Sequence, residues 1–307
     1  MSAAVPMDPQ RSVTTTTFRA AKAQGRRIAM ITAYDAPTAR MVDQAGVDAI
    51  LVGDSLGMVV LGHDSTLPVT MDDMLHHTRA VVRGTSRALV VADMPFLSFQ
   101  VSLEEALRNA GRLVAEGGAG AVKLEGGRRT AETVRFVTQA GIPVMGHVGL
   151  TPQSVNQLGG YRVQARETAD ALTLIDDCRA LEEAGAFAIV LECIPAELAQ
   201  LVSNELGIPT IGIGAGVGCD GEIQVFHDLL GMGDFTPRHA GRYAEVGTAI
   251  REAVGAYTQD VHDRAFPAEA QTTHLDQRVL AEIKAARAAA LKPASGGSLS
   301  GGDRGGL

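Results

Sequence analysis

Short apolar, β-branched runs recur along the middle of this chain, at Ile28–Ala33, Ala49–Gly53, Ala88–Asp93, Ala121–Glu125, Pro143–Val148, Ala186–Glu192 and Pro209–Gly214. Between most of them lie stretches rich in Ala, Leu, Glu and Arg with helical spacing. Leu103, Ala106, Leu107, Ala110 and Val114, for example, recur at three- and four-residue steps on one helix face. Gly46, Gly117, Gly141 and Gly185 stand where such helices would end, in positions that suit a left-handed cap. Strands apolar on both faces that alternate with helices imply a parallel sheet covered on both sides. With an eighth run around Glu222–Phe226, the pattern favours a closed (β/α)8 barrel over an open doubly wound sheet. Periodicity alone does not decide closure, because an open sheet gives the same runs.

Before the first strand, Thr17–Gln24 reads as a short helix suited to cover the barrel floor. From Leu275 an Ala/Arg/Lys helix leads into a Gly/Ser-rich end with the composition of a disordered tail. The expected organisation is a flexible segment over 1–16, a barrel over 17–268, and a C-terminal helix and tail over 269–307.

Composition narrows the functional classes. The formal net charge of −8 argues against broad contact with nucleic acid or an anionic membrane. Aromatic residues make up 4% and Trp is absent, which leaves little for base stacking. No apolar run approaches the roughly 20 residues needed to span a bilayer. Cys178, Cys193 and Cys219 are too scattered for a disulfide framework or a Cys-rich zinc site, and read as free thiols. The first residues lack a basic-then-apolar leader pattern, so a cytoplasmic protein is expected.

In a barrel of this kind, chemistry collects at the carboxyl ends of the strands. Those ends here carry Asp54 and Ser55, then Asp93, then Lys123 and Glu125, then His147, then Glu192. Lys123 and Glu125 are two apart, so both leave the same face of one strand. Asp54, Asp93 and Glu125 are hard oxygen donors, which suit Mg2+ better than zinc. Taken singly, Asp54 or Asp93 would also serve as a cap for the helix that follows. A Mg2+ held by few carboxylates keeps positions open for a 2-oxo acid, whose carbonyl it would polarise toward an enolate. Lys123 is suited to bind a substrate carboxylate or, if desolvated, to form a Schiff base; the nearby acids keep it protonated, which favours the first role.

Three motifs compete with this reading. Gly53-Asp54-Ser55-Leu56-Gly57 matches the serine-hydrolase nucleophile elbow, but Met58-Val59-Val60, with its two β-branched valines, argues against the helix an elbow needs. Gly212-Ile213-Gly214-Ala215-Gly216 starts like a dinucleotide fingerprint, yet Val217 breaks it, and a mouth-lining loop is the better reading. His76-His77 lack an acid at metal-ligand spacing and read as packed or solvated.

Six segments, GDSLGMVVLGHDSTLPVT, VVADMPF, AVKLEGG, GHVGLTPQSVNQLGGYRVQAR, VLECIP and IPTIGIGAG, follow one another in an order that resembles the ketopantoate hydroxymethyltransferase family. The likeness covers about residues 14–268. It implies a (β/α)8 TIM barrel of the phosphoenolpyruvate/pyruvate enzyme type. The implied reaction transfers a hydroxymethyl group from 5,10-methylenetetrahydrofolate to 2-oxoisovalerate, giving ketopantoate for pantothenate and coenzyme A. It also implies Mg2+ on Asp54 and Asp93 with Glu125 as third acid, partly through water. Oxo-acid contacts fall on Asp54, Ser55, Asp93 and Lys123, the general base on Glu192, and His147 matches an active-site position of open role. Small-molecule partners and a homo-oligomer, often a decamer, complete what it implies. A C–C lyase of the same superfamily and a non-catalytic small-molecule-binding barrel are the rival readings. The segment FPAEAQTTH departs from the family's usual acidic-His-Ser ending.

Overall fold

The structure, a computed structural model, describes residues 12–233 and 235–291. Its centre is a closed barrel of eight parallel strands in sequence order, with β8 pairing back onto β1. The chain opens with α1 (Thr15–Ala23), β1 (Ile28–Thr32), α2 (Ala36–Gln44) and β2 (Ala49–Val52). Next come α3 (Leu56–Val59), α4 (Met71–Gly84), β3 (Leu89–Asp93), α5 (Leu103–Ala115) and β4 (Ala121–Glu125). The second half continues with α6 (Ala131–Gln139), β5 (Val144–Gly149), α7 (Val155–Leu158), α8 (Thr168–Glu183) and β6 (Ala188–Glu192). It ends with α9 (Ala196–Glu205), β7 (Thr210–Ile213), β8 (Gly221–Gln224), α10 (Phe226–Leu229), α11 (Val246–His262) and α12 (Gln277–Ala290). All seven expected runs are strands, and the eighth run contributes β8.

Strand alternation sorts the core into two. Ile28, Met30, Leu51, Val91, Met145 and Val190 point into the barrel, while Ile50, Val90, Val122, Val144 and Ile189 pack outward against the helices. Helix starts follow their capping signals: Asp35, Thr70 and Ser102 side chains accept the N–H of Thr38, Asp73 and Glu105. The floor is closed by α1, as its sequence suggested. Phe18 is buried in the barrel interior cluster and meets Phe187 edge-on at 5.7 Å.

Several boundaries differ from the sequence reading. Helix α1 starts at Thr15 through a Thr14/Thr17 capping box, and buried Val13 donates its N–H to Arg87. The expected edge of a flexible segment at residue 16 therefore falls inside a helix; residues 1–11 lie outside the described residues. Left-handed caps occur at Gly46, Gly141 and Gly185, but after α5 the positive φ belongs to Gly118 and not Gly117. Gly117 is still bound to the helix, donating its N–H to Arg112. The chain divides into two compact units between Ala249 and Ile250, inside α11. From residue 250 to the end of α11 every side chain is exposed. The second unit holds the rest of α11 and α12; the Gly/Ser-rich tail lies outside the described residues. Among the described residues, no helix is long and apolar enough to cross a membrane.

Candidate active site

The inward positions of each strand continue upward into charge. On β3, Leu89 and Val91 are followed by Asp93; on β4, Ala121 by Lys123 and Glu125. On β5, Met145 gives way to His147, and on β6, Ala188 and Val190 give way to Glu192. The period of two that fills the barrel with apolar side chains thus aims these five groups at one mouth. Asp54 and Ser55 join them from the turn after β2, where Gly53 leaves room: a Cβ there would lie 2.8 Å from Ser55 Oγ.

The groups form one contiguous network. Asp54 donates its backbone N–H to Asp93 Oδ2 at 3.0 Å, and Lys123 Nζ lies 2.9 Å from Asp93 Oδ1. Lys123 Nζ also approaches His147 Nδ1 at 3.2 Å. The His147 ring stands between two acids, with Nδ1 3.4 Å from Glu125 Oε1 and Nε2 3.1 Å from Glu192 Oε2. Every one of these except Glu192 is nearly sealed from solvent; the Glu192 side chain keeps 15% exposure at the lip of the cavity. The cavity above them measures about 830 Å3, with Met58, Val59, Leu150, Tyr161 and Val163 among its apolar walls.

Burial and mutual repulsion set the charge states. Burial, followed by the neighbouring Asp93 and Glu125 charges, holds the Asp54 carboxyl well above its ordinary range. Asp93 is raised by burial, against the pull of Lys123. Burial disfavours charge on Glu125 too, but His147, Lys123 and the Gln153 N–H win and lower it. For Lys123, burial is overcome by Asp93, Glu125 and Asp54, so the ammonium stays charged. Burial and Lys123 oppose a charged imidazole, yet the contacts with Glu125 and Glu192 prevail and push His147 up to about 9.

Two residues of this network escaped the sequence reading. Gln153, buried after β5, donates its backbone N–H to Glu125 Oε2 at 3.0 Å and its amide to Asp54 Oδ2 at 2.8 Å and to the Met94 carbonyl at 2.9 Å. It braces two carboxylates from different strands. Tyr34, just past β1, lies 2.9 Å from Ser55 Oγ through its phenol. The strand-end rule that found the acids, applied to β1, would have found Tyr34. No comparable signal marks Gln153 beyond its place in a Thr-Pro-Gln turn.

The competing motifs resolve in different ways. A helix does follow Ser55 directly, α3, so the argument from β-branching against an elbow fails. Gly57 lets the chain from Ser65 to Val69 press onto this turn, which stabilises a helix that Val59 alone would disfavour. The hydroxyl partner of Ser55 is nevertheless a phenol, where an elbow serine needs an imidazole. Ile213, the last residue of β7 within the Gly-rich run, lines the cavity, and His77 places its Nδ1 2.7 Å from the Tyr34 carbonyl. All three cysteines are free. Cys193 lines the cavity, but burial and the adjacent Glu192 push its thiol up to about 11, which disfavours a nucleophilic thiolate.

Residues 12–269 match the family model described as ketopantoate hydroxymethyltransferase. A 3-methyl-2-oxobutanoate hydroxymethyltransferase of Dehalococcoides mccartyi (strain CBDB1) is 58% identical over 264 residues, 86% of this chain and 95% of that protein. One from Carboxydothermus hydrogenoformans is 55% identical, covering 88% of this chain and 99% of its own length. Among solved structures, a phosphonopyruvate hydrolase aligns with a TM-score of 0.55 at 16% identity, over 91% of this chain and 99% of that one. A 2,3-dimethylmalate lyase of the phosphoenolpyruvate mutase/isocitrate lyase superfamily aligns at 0.54 and 19% identity, over 88% and 98%. At such identities these two likenesses concern the fold.

Proposed function

This chain belongs to the ketopantoate hydroxymethyltransferase family and forms ketopantoate on the route to pantothenate, and on that premise we propose how its own residues perform the reaction. The observation that carries the proposal is the Glu192–His147 contact of 3.1 Å at the lip of a cavity floored by Asp54, Asp93 and Lys123. A base stands on one side of the cavity, and a pocket for an anionic, metal-chelating substrate lies beneath it.

The donor set suits Mg2+. Burial raises both carboxyls, with repulsion from Asp93 and Glu125 adding to it at Asp54 and from Glu125 at Asp93, and a divalent cation would relieve that cost. Among the described residues no three ligating side chains already converge on one point. Asp54 and Asp93 would hold the ion, with Glu125 contributing through water, a donor set of hard oxygens that suits Mg2+. When bound, the ion would polarise the keto oxygen of the substrate and stabilise the enolate.

Lys123, held as an ammonium, binds the carboxylate of 2-oxoisovalerate, and Ser55 contacts the same acid. Glu192 takes the proton from C3, and the cationic His147 holds the carboxylate toward the cavity. Water breaks the two C–N bonds of the methylene bridge in 5,10-methylenetetrahydrofolate, releasing tetrahydrofolate and formaldehyde; the enolate carbon adds to that carbonyl carbon, and the alkoxide formed takes back the proton held by Glu192. The cavity of about 830 Å3 is far larger than a five-carbon acid needs, and its apolar walls suit a flat aromatic donor.

The protein is taken to act as a homo-oligomer, the decamer being the expected state. Support comes from α11, where Ile250, Val254, Tyr257 and Val261 are all exposed on one face. Free cysteines fit a reducing, cytoplasmic setting.

The decisive experiment supplies purified protein with Mg2+ and 2-oxoisovalerate in deuterated water, with and without methylenetetrahydrofolate. Ketopantoate is expected with the folate, and exchange of the C3 hydrogen without it. Glu192→Gln should keep oxo-acid binding and lose both signals by about 10²–10⁴-fold. Exchange at the wild-type rate in that variant removes Glu192 as the base and makes His147 the next candidate.

A further inference from the structure

We propose that a second cavity, next to the one described above and built around Arg129, holds the glutamyl end of the folate donor, with a carboxylate on the guanidinium. The proposal rests on the reading of methylenetetrahydrofolate as the one-carbon donor.

Residues that follow β2, β3, β4 and β5 enclose this cavity, which measures about 510 Å3. Glu125 lines both cavities, so the two lie side by side at the same end of the barrel. It is also the one acid lining the second cavity among the described residues, and both of its oxygens are engaged. Oε1 faces His147 Nδ1 at 3.4 Å, and Oε2 accepts the Gln153 N–H at 3.0 Å.

Arg129 is the one cation in this lining. Its Nη2 donates to Ser154 Oγ at 2.9 Å, and its Nη1 lies 3.4 Å from Gln157 Oε1. A guanidinium only donates, so the direction of both contacts is fixed, and both partners are neutral. Among the described residues Arg129 makes no ion pair, whereas the adjacent Arg128 is spent on Asp176 at 2.9 Å. The backbone accommodates the arginine closely: Gly126 has φ +124, and a Cβ there would stand 3.1 Å from Arg129 Nε. A planar fork with donors to spare is the group that binds a carboxylate through two oxygens.

The remaining walls narrow the ligand. Thr133 and Asn156 supply neutral polar groups, and the exposed Phe96 supplies a ring face. One unneutralised positive charge, amides and an aromatic surface suit a molecule carrying an anion, an amide and a ring in succession. The folate donor ends in that order, with a p-aminobenzoyl ring, an amide link and a glutamate. The oxo acid has no need of this cavity, because Lys123 meets its carboxylate in the neighbouring one.

The test measures steady-state turnover of the full-length protein with saturating Mg2+ and 2-oxoisovalerate. It compares 5,10-methylenetetrahydrofolate with the pteroate analogue that lacks the glutamate. The wild type should use the glutamylated donor with a kcat/KM about three- to fivefold higher, the range for an ion pair open to solvent, and the difference should lie in KM. The preference should shrink as salt is raised. Arg129→Ala should use both donors alike. Gln157→Glu keeps the arginine and occupies it with a carboxylate, so it should erase the preference too, and it decides the matter if Arg129→Ala folds poorly.

A wild type that makes ketopantoate from neither donor overturns the folate reading, and this proposal with it. Equal use of both donors by the wild type overturns the proposal alone, as does a preference that survives in either variant. If Arg129→Ala loses both donors and the folate-independent exchange of the C3 hydrogen to the same extent, Arg129 is structural and the proposal is likewise overturned.

Discussion

Lys123 and His147 are cations buried among carboxylates, and the charge on each depends on its neighbours. Asp54 and Asp93 are the two acids whose ionisation burial opposes most plainly, so a bound cation gains most from them. Asp54→Asn and Asp93→Asn should each weaken Mg2+ and 2-oxoisovalerate binding together, because metal and substrate share one layer. Calorimetry that finds Mg2+ affinity unchanged in both variants would remove them as ligands. His147 supplies a pH dependence. Its folded pKa rises from 6.5 to about 9, so the stabilisation it gives is complete below about 6.5 and is lost as pH climbs through about 9. The ceiling on that contribution is of the order of 3 kcal/mol. Thermal unfolding midpoints should fall between those pH values, and His147→Gln should flatten the fall; an equal slope in the variant would assign the loss to another group. The acids, Lys123 and His147 were legible in the sequence because each follows an apolar run. Gln153 was not, since its role arises from two backbone segments and an amide brought together only by the folded turn after β5.

At the scale of elements, the strands were read nearly to the residue, because a parallel sheet covered on both faces leaves continuous apolar runs. Short elements were not: α3 has four residues, too few for a periodic signal, and depends on the loop that presses onto Gly57. The contact of β5 with β6 shows why strand ends here need glycine. Gly149 has φ +94 and its missing Cβ would fall 2.2 Å from the Glu192 carbonyl oxygen, which also accepts the Leu150 N–H. Gly149→Ala would therefore force apart the two strand ends that present His147 and Glu192. The expected cost is about 1–3 kcal/mol of stability from the backbone conformation, and the clash adds to it. Activity should fall more than oxo-acid binding, because the displaced group is the base and not the pocket floor. Equal losses in both would mean the whole mouth has shifted.

At the scale of the molecule, a helix stays folded mainly by packing an apolar face. The exposed face of α11 repeats at steps of four, three and four, from Ile250 through Val254 and Tyr257 to Val261, and Gly247 is its one buried residue. Such a stripe on a 17-residue helix is the surface expected to associate with further copies. Helix α12 differs: it has no buried residue, and six of its fourteen residues are Ala, beside Arg, Lys and Glu and the apolar Val279, Leu280 and Ile283. The two helices should therefore respond in opposite ways. Deleting residues 276–307 should leave both turnover and the mass measured by light scattering unchanged. Replacing Val254 and Tyr257 together by Glu should lower that mass, because a carboxylate on each of two neighbouring turns cannot be buried unpaired. The doubly charged variant should keep the unfolding cooperativity of the barrel, since neither residue belongs to its core. A wild-type mass in that variant would exclude the α11 stripe as the interface, and a mass change on truncation would move the interface to α12.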